Sequence, residues 1–323
     1  MRILAALVLV LFSASPRASA GELTYRWTPD EVMHYRIQAF IVAPSVLRFM
    51  AARNVAARAE DIALAMELDC RAEPPKKRTQ SWRCSIHRVE LGGKAWEGEQ
   101  EKLDAILTEY MDRLQEATIV VDYTHTGRVQ LVDVEGIPRT SDREKLIHEY
   151  LRLLLQRAFA ALEVELPKDG EVPAGTWRQK GNPLSMRLPT RYGTAGGVRL
   201  HHEVVGREGD LLVLSSVGRG IVHPGSALES GADRGVNMSV IGTGLFDPKR
   251  GLLVRNEVQT NGALTTSASM ASAGFYLTQV VLVELLDSWE EETPAEETPA
   301  EETPAEETSE EPPPSEAAPA TDR

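Results

Sequence analysis

The chain has 323 residues, a net charge of −13 and two cysteines. The charge is unevenly placed: residues 289–323 carry thirteen acids against Arg323 alone, and once Arg2 and Arg17 are also set aside the span 21–288 is left at −3. A body this close to neutral, with no basic footprint, excludes nucleic-acid binding. No apolar run approaches the roughly 20 residues that cross a bilayer, so the chain reads as not membrane-spanning.

Residues 1–20 have the form of a signal peptide. Arg2 gives a basic start, Ile3–Phe12 is almost wholly apolar, and Ala18-Ser19-Ala20 supplies the small-x-small cleavage pattern. The expected product is soluble, exported to a periplasmic or extracellular location, and starts near Gly21. The first cysteine is Cys70, so no cysteine stands at the cut to carry a lipid.

A first long strand is predicted over Val32–Val42, where Tyr35, Ile37 and Ala39 alternate with polar residues. The Ala and Met content of 45–53 favours a short helix. Ile62, Leu64, Met66, Leu68 and Cys70 then keep a strict period of two, and Trp82, Cys84 and Ile86 share one face of the next strand. Pro74-Pro75 lies in the connection, which reads as a hairpin loop. Two antiparallel strands would set Cys70 against Cys84. The prediction is a disulfide worth roughly 3 kcal/mol for a loop of this size; a redox or metal pair would need closer spacing, as in Cys-x-x-Cys.

Glu99–Glu116 carries apolar residues at helical spacing from Leu103 to Leu114. Asp142–Leu162 repeats that pattern and opens on Ser141 and Glu144, a capping box. Each predicted helix has one wide apolar face that must cover something, and a sheet face is the natural partner. Between them, Thr118–Tyr123 and Arg128–Val134 flank Thr124-His125-Thr126-Gly127 as a hairpin. Pro167, Pro173 and Gly175 then separate the second helix from further strands over Val198–Val205, Leu211–Val217, Val236–Phe246 and Leu252–Thr260. Asp247–Gly251 reads as a turn, Asn261-Gly262 as a second hairpin turn. Phe275–Leu286 is apolar on both faces and suits a central strand buried on both sides. From Trp289 a Glu-Glu-Thr-Pro-Ala repeat follows, a disordered acidic tail with a proline every fifth residue and nothing to bury.

The expected fold is α+β and mainly antiparallel β: a large curved sheet or half-barrel covered by two amphipathic helices. The run Val121-Asp122 to Gly127 echoes Phe246-Asp247 to Gly251. Two similar β units, 21–135 and 176–288 joined by the helix 142–162, are one reading of that echo.

The order of features is recognisable: a leader, His34-Tyr35-Arg36 in a first strand, a two-cysteine hairpin, an Asp-x-x-x-Gly hairpin, a long helix ending at Leu166-Pro167, then Pro173-x-Gly175-x-Trp177. Over most of 24–287 this resembles uncharacterised secreted proteins of proteobacterial, myxobacterial type. In architecture alone it is similar to the curved half-barrels of periplasmic lipoprotein and lipid carriers. The resemblance carries over no activity and no catalytic residue, and the likeness to carriers is one of fold alone.

The search for reactive groups is negative. His148-Glu149-Tyr150-Leu151-Arg152 begins like a zinc-protease helix but ends on Arg152 where a second histidine is needed. Gly242-Thr243-Gly244 sits inside a strand and reads as a bulge or close packing. On a strand, His201 and Glu203 share a face and would present two ligands or an acid–base pair, with His125 or His223 as a distant third, while His202 falls on the apolar face of Val198, Leu200 and Val204. No catalytic, cofactor-binding or metal-ligating residue is assigned, no cofactor is expected, and Cys70–Cys84 is the one assigned pair. The leading expectation is a non-catalytic envelope protein binding a lipid, a lipoprotein or another apolar ligand between sheet and helices. After it come an interaction module using the acidic tail to hold a basic partner, and last a hydrolase or metal enzyme built on His201 and Glu203.

Overall fold

The computed structural model describes residues 23–42, 59–76, 79–95, 98–168, 170, 175–179, 194–224, 234–266 and 276–288. The chain divides after Ser288, and every described residue precedes that point. The leader, the helix expected over 45–53 and the acidic tail lie outside the described residues.

Eleven antiparallel strands form one open sheet in the order β5-β4-β3-β2-β1-β11-β10-β9-β8-β7-β6. In chain order they are β1 (Val32–Val42), β2 (Ala59–Ala72), β3 (Thr79–Ala95), β4 (Thr118–Thr124), β5 (Val129–Glu135), β6 (Thr176–Arg178), β7 (Thr194–Glu208), β8 (Leu211–Pro224), β9 (Arg234–Asp247), β10 (Leu252–Thr266) and β11 (Tyr276–Leu286). Helix α1 (Gln100–Gln115) connects β3 to β4. Helix α2 (Asp142–Ala158) follows β5 and runs into a 3-10 turn, Phe159–Leu162. The fold class is therefore the one expected, with the two halves of the chain joined where β1 pairs with β11.

The helices share one face of the sheet. Tyr35, Ile37 and Ile41 of β1 and Ile62, Leu64, Met66 and Leu68 of β2 point inward and are buried with Leu103, Leu107 and Leu114 of α1 and Leu151, Leu154 and Leu155 of α2. Both helices cover the β1–β5 half because their apolar stripes have no other surface to bury. The capping box is formed: the Glu144 amide donates to Ser141 Oγ at 3.2 Å, and the Ser141 amide donates to Glu144 Oε2 at 2.9 Å. Cys70 and Cys84 are paired in the β2–β3 register and joined by a disulfide.

Beyond the helices the inner face is covered by extended chain. Leu23, Val164 and Leu166 pack with Val204, Leu212, Leu214, Phe246 and Leu253 in a second buried cluster. These segments are tied down through their backbones. The Arg26 amide donates to the Gly251 carbonyl at 3.0 Å and the Leu166 amide to the Thr126 carbonyl at 2.7 Å. Tyr25 Oη donates to the Val164 carbonyl at 3.1 Å, and its ring lies on Gly127, where any Cβ would overlap it. Gly127 also has φ +86°, so this turn requires glycine both for its backbone conformation and for the ring above it.

Two readings of the sequence are corrected. Asn261-Gly262 is no turn: both residues lie inside β10, paired with Ser239 and Met238 on one side and with Thr278 and Leu277 on the other. Ladder hydrogen bonds on both flanks override the local turn preference, and Thr278 Oγ1 donates to Asn261 Oδ1 at 3.2 Å. Nor is β11 buried on both sides. Val281 and Val283 face inward and are buried, but Val280 and Leu282 face outward and stay half-buried.

Candidate functional site

The outer face, turned away from the helices, is ordered in rows that run across the strands. One row passes through Arg36 and Glu67, an ion pair at 3.0 Å, and through Arg255 and Glu284 at 3.6 Å. Alternating charges of this kind are an ordinary solvated sheet surface. A row nearer the far ends of β1 and β11 is different. The registers align Val217, Ile241, Gln259, Val280, Phe40, Ala63 and Gly92 on consecutive strands from β8 to β3.

Phe40 is the large side chain of that row and is 45% exposed although β1 is an interior strand of the sheet, paired on both sides. Its neighbours on β2 and β3 are Ala63 and Gly92, which leave room beside the ring. Val280 flanks it on β11. The next row adds Ala65, Gln38 and Leu282, and Glu90 and Glu257 mark the two ends. Beside β3 the groove is closed by Met111 of α1, on the side where the second half of β3 is no longer paired with β4. The groove has a volume of about 830 Å³, within the roughly 300–1,000 Å³ of small-molecule sites. The expectation had been a ligand between sheet and helices; this groove is on the opposite face. Its residues were not singled out in the sequence. The available signal was the apolar character of both faces of β11, read there as double burial.

His201 and Glu203 do share the outward face of β7, as expected, and both are exposed. The registers give His201 Arg178 and Val217 as flanking residues and give Glu203 Thr176 and Ser215. No third ligand joins them, and among the described residues no group of three or more His, Cys, Asp or Glu could hold a metal. His125 is exposed in the β4–β5 turn, and the side chain of His223 lies outside the described residues. His148 is buried and donates from Nε2 to the Val134 carbonyl at 3.0 Å, while Arg152 pairs with Glu149 at 2.8 Å. That helix face is structural. Gly242 and Gly244 serve close packing: a Cβ on Gly244 would stand 2.9 Å from Asn256 Oδ1.

His202 is the unexpected member of this region. It is 1% exposed, stacks on Trp177 with ring centroids 5.2 Å apart, and lies in a chain of buried polar groups. Gln179 Nε2 donates to Glu163 Oε1 at 3.1 Å, which turns Gln179 Oε1 toward His202 Nε2 at 3.1 Å. A carbonyl oxygen accepts only, so Nε2 carries the proton and Nδ1 accepts from Ser216 Oγ at 2.7 Å. The order Ser216, His202, Gln179, Glu163 has the polarity of a hydrolase relay. Ser216 is 7% exposed and lies on the inward face of β8, so the chain of bonds closes on itself inside the protein. Burial holds the His202 imidazole down to about 4, and it is neutral at physiological pH.

No family model and no curated protein matches the chain. Solved structures overlap with it loosely. Lipovitellin, from a study of its lipid–protein interactions, aligns with a TM-score of 0.46 at 10% identity, over 81% of this chain and 25% of its own. The chain thus spans about a quarter of lipovitellin's length. DynF from the dynemicin biosynthesis pathway of Micromonospora chersina aligns at 0.19 and 5% identity, over 88% of this chain and 91% of its own. A domain named for outer membrane lipoprotein sorting, from Vibrio parahaemolyticus, aligns at 0.16 and 10% identity, over 80% and 87%. Likeness at this level carries no argument about ligand or activity.

Proposed function

We propose that this is a non-catalytic, exported envelope protein that holds an apolar ligand, a lipid chain, in the outer groove of its sheet. One observation carries the reading: a half-exposed Phe40 in an interior strand, set beside Ala63 and Gly92 so that a volume of about 830 Å³ with an apolar floor is left open. Exposed large apolar side chains that line a concavity mark binding surfaces. The reading of export rests on residues 1–20 and is supported by the buried Cys70–Cys84 disulfide, which suits an oxidising compartment.

The test fills the groove without disturbing the fold. A Cβ built on Gly92 meets nothing within 4 Å, so Gly92→Phe places a ring in the groove from an open position. Native mass spectrometry and solvent extraction of the purified full chain are expected to show bound lipid. A polarity-sensitive apolar dye is expected to bind wild type and to be lost from Gly92→Phe at unchanged melting temperature. Equal dye binding by wild type and a correctly folded Gly92→Phe would overturn the assignment of the groove.

A further inference from the structure

The outer face changes character at its β6–β9 end, some strands away from the groove. Arg178, Arg199 and Arg219 are exposed there, and the β7–β8 register sets Arg199 directly opposite Arg219. Like charges placed so repel, and among the described residues no carboxylate pairs with Arg178, Arg199 or Arg219. Glu203 is the one outward-facing acid within these paired strands; Glu208 lies beside the β7–β8 turn and Asp247 at the end of β9. His201 adds an imidazole beside Arg178.

The same surface carries most of the exposed large aliphatic side chains of the described body. Val217 is 48%, Ile221 47% and Ile241 55% exposed. Val217, Arg219 and Ile221 follow one another on the outward face of β8, and Ile241 is the cross-strand neighbour of Val217. Aliphatic groups that stand out between unpaired guanidinium groups meet two needs at once only where an apolar layer lies under an anionic one. A membrane surface has that construction: headgroup phosphates accept from arginine, and branched side chains enter the acyl boundary. Single-stranded nucleic acid would want aromatic platforms, and among the described residues these strands expose no Phe, Tyr or Trp outward. A second copy of this surface would bring arginine against arginine.

We propose that the outward face of β6–β9 docks on the surface of an anionic lipid bilayer, with Arg199 and Arg219 on headgroups and Val217, Ile221 and Ile241 in the interface. The proposal does not rest on the groove, and the two can fail separately. The full chain is mixed with phosphatidylcholine vesicles and with vesicles enriched in phosphatidylglycerol, and co-sedimentation is measured over a salt series. Binding is expected to the anionic vesicles only and to weaken with salt. Neutralising both arginines, Arg199→Gln with Arg219→Gln, is expected to lower partitioning by about 30-fold, from roughly a fivefold contribution per arginine. Ile241→Ser is expected to lower it as well, while Lys102→Gln on α1 leaves it at the wild-type value, all with unchanged melting temperatures. Equal binding to both vesicle types, or no binding to either, would overturn the proposal. So would loss with the arginine variant but none with Ile241→Ser, which is adsorption without insertion. Capture of soluble polyglutamate without vesicle binding would assign the patch to an acidic polypeptide and equally reject the membrane.

Discussion

The two halves of the sheet bury the same kind of inner face under different covers, and their interiors differ accordingly. Strands β1–β5 lie under α1 and α2, whose backbone groups are satisfied within the helix, so the helices present side chains alone and the layer between is almost wholly apolar. The end of the inner face formed by Val204, Leu212, Leu214, Phe246 and Leu253 of β7–β10 lies under extended chain at 23–25 and 163–166, whose N–H and C=O groups find no partners within their own segment. Polar groups must then enter the interior to meet them: Trp177 Nε1 donates to the Glu165 carbonyl at 2.7 Å and Tyr25 Oη to the Val164 carbonyl at 3.1 Å, and just before them Asn256 Nδ2 donates to the Ala161 carbonyl of the 3-10 turn at 2.5 Å. The relay from Ser216 through His202 and Gln179 to Glu163 belongs to the same cover. The extended cover therefore brings a connected chain of polar groups into the core, whereas the helical cover brings separate ones, such as His148 of α2 on the Val134 carbonyl.

The largest effect should come from breaking the helical half. Leu151 is fully buried on α2 between the sheet and the second helix face. Leu151→Ala should destabilise by about 3 kcal/mol, the middle of the range for a buried leucine. The loss is read from the urea unfolding midpoint at pH 7. A loss well below that range would mean that α2 does not bury this half of the sheet as described.

The extended half should break with acid instead. His202 titrates near 6.5 in an unfolded chain and is held to about 4 in the fold by burial, with the neighbouring His201 adding a little. The unfolded chain therefore takes up the proton first. Stability is complete above about 6.5 and falls as the pH drops toward 4, by up to roughly 3 kcal/mol for a shift of this size. Glu163 and Arg128, 3.9 Å apart, are the charged groups at the other end of the relay. Hydrogen exchange at pH 5 should show β6–β8 amides losing protection while β1–β3 amides keep theirs. His202→Gln, which takes no proton, should remove the slope between pH 6.5 and 4.5 even though it costs some stability at pH 7. An unchanged slope would exclude His202 as its source.

What was legible in the sequence follows the range of each interaction. Both helices, the capping box, the β2–β3 hairpin and its disulfide, and the β4–β5 turn are set by residues within about one turn or one hairpin of each other, so period and turn chemistry suffice. The joining of the two halves through β1 and β11 pairs residues some 250 apart, as His34 with Leu286, and no local pattern carries it. Asn261-Gly262 shows the converse, a strong local signal overridden by neighbours on both sides. The relay was half visible. His202 was correctly placed on an apolar face, and Ser216 keeps the inward phase of Leu212 and Leu214, so a polar pair facing inward on adjacent strands was there to be found. The groove was hidden because an outward apolar row reads like a buried one until the strand order shows what covers it.

The smallest effect separates the halves by pH alone. Glu144 accepts from the Thr140 hydroxyl and from the amides of Ser141 and Thr140, and these bonds hold its carboxyl down to about 2. A depressed carboxyl stabilises the fold above its unfolded pKa, and that contribution is lost as the pH falls from the usual carboxylate range toward 2. The acid response of the α2 start therefore begins where that of His202 is ending. Ser141→Ala removes the other arm of the box and should cost about 1 kcal/mol at neutral pH. Glu144→Gln should cost less than that at neutral pH and should flatten the stability curve only below about pH 4.5. Combined with His202→Gln, the two changes should act independently, because α2's first turn and the relay share no partner. If Glu144→Gln instead altered the slope between pH 6.5 and 4.5, the two covers would be coupled through the sheet, and the acid sensitivity would belong to the whole body instead of to the half that is covered by extended chain.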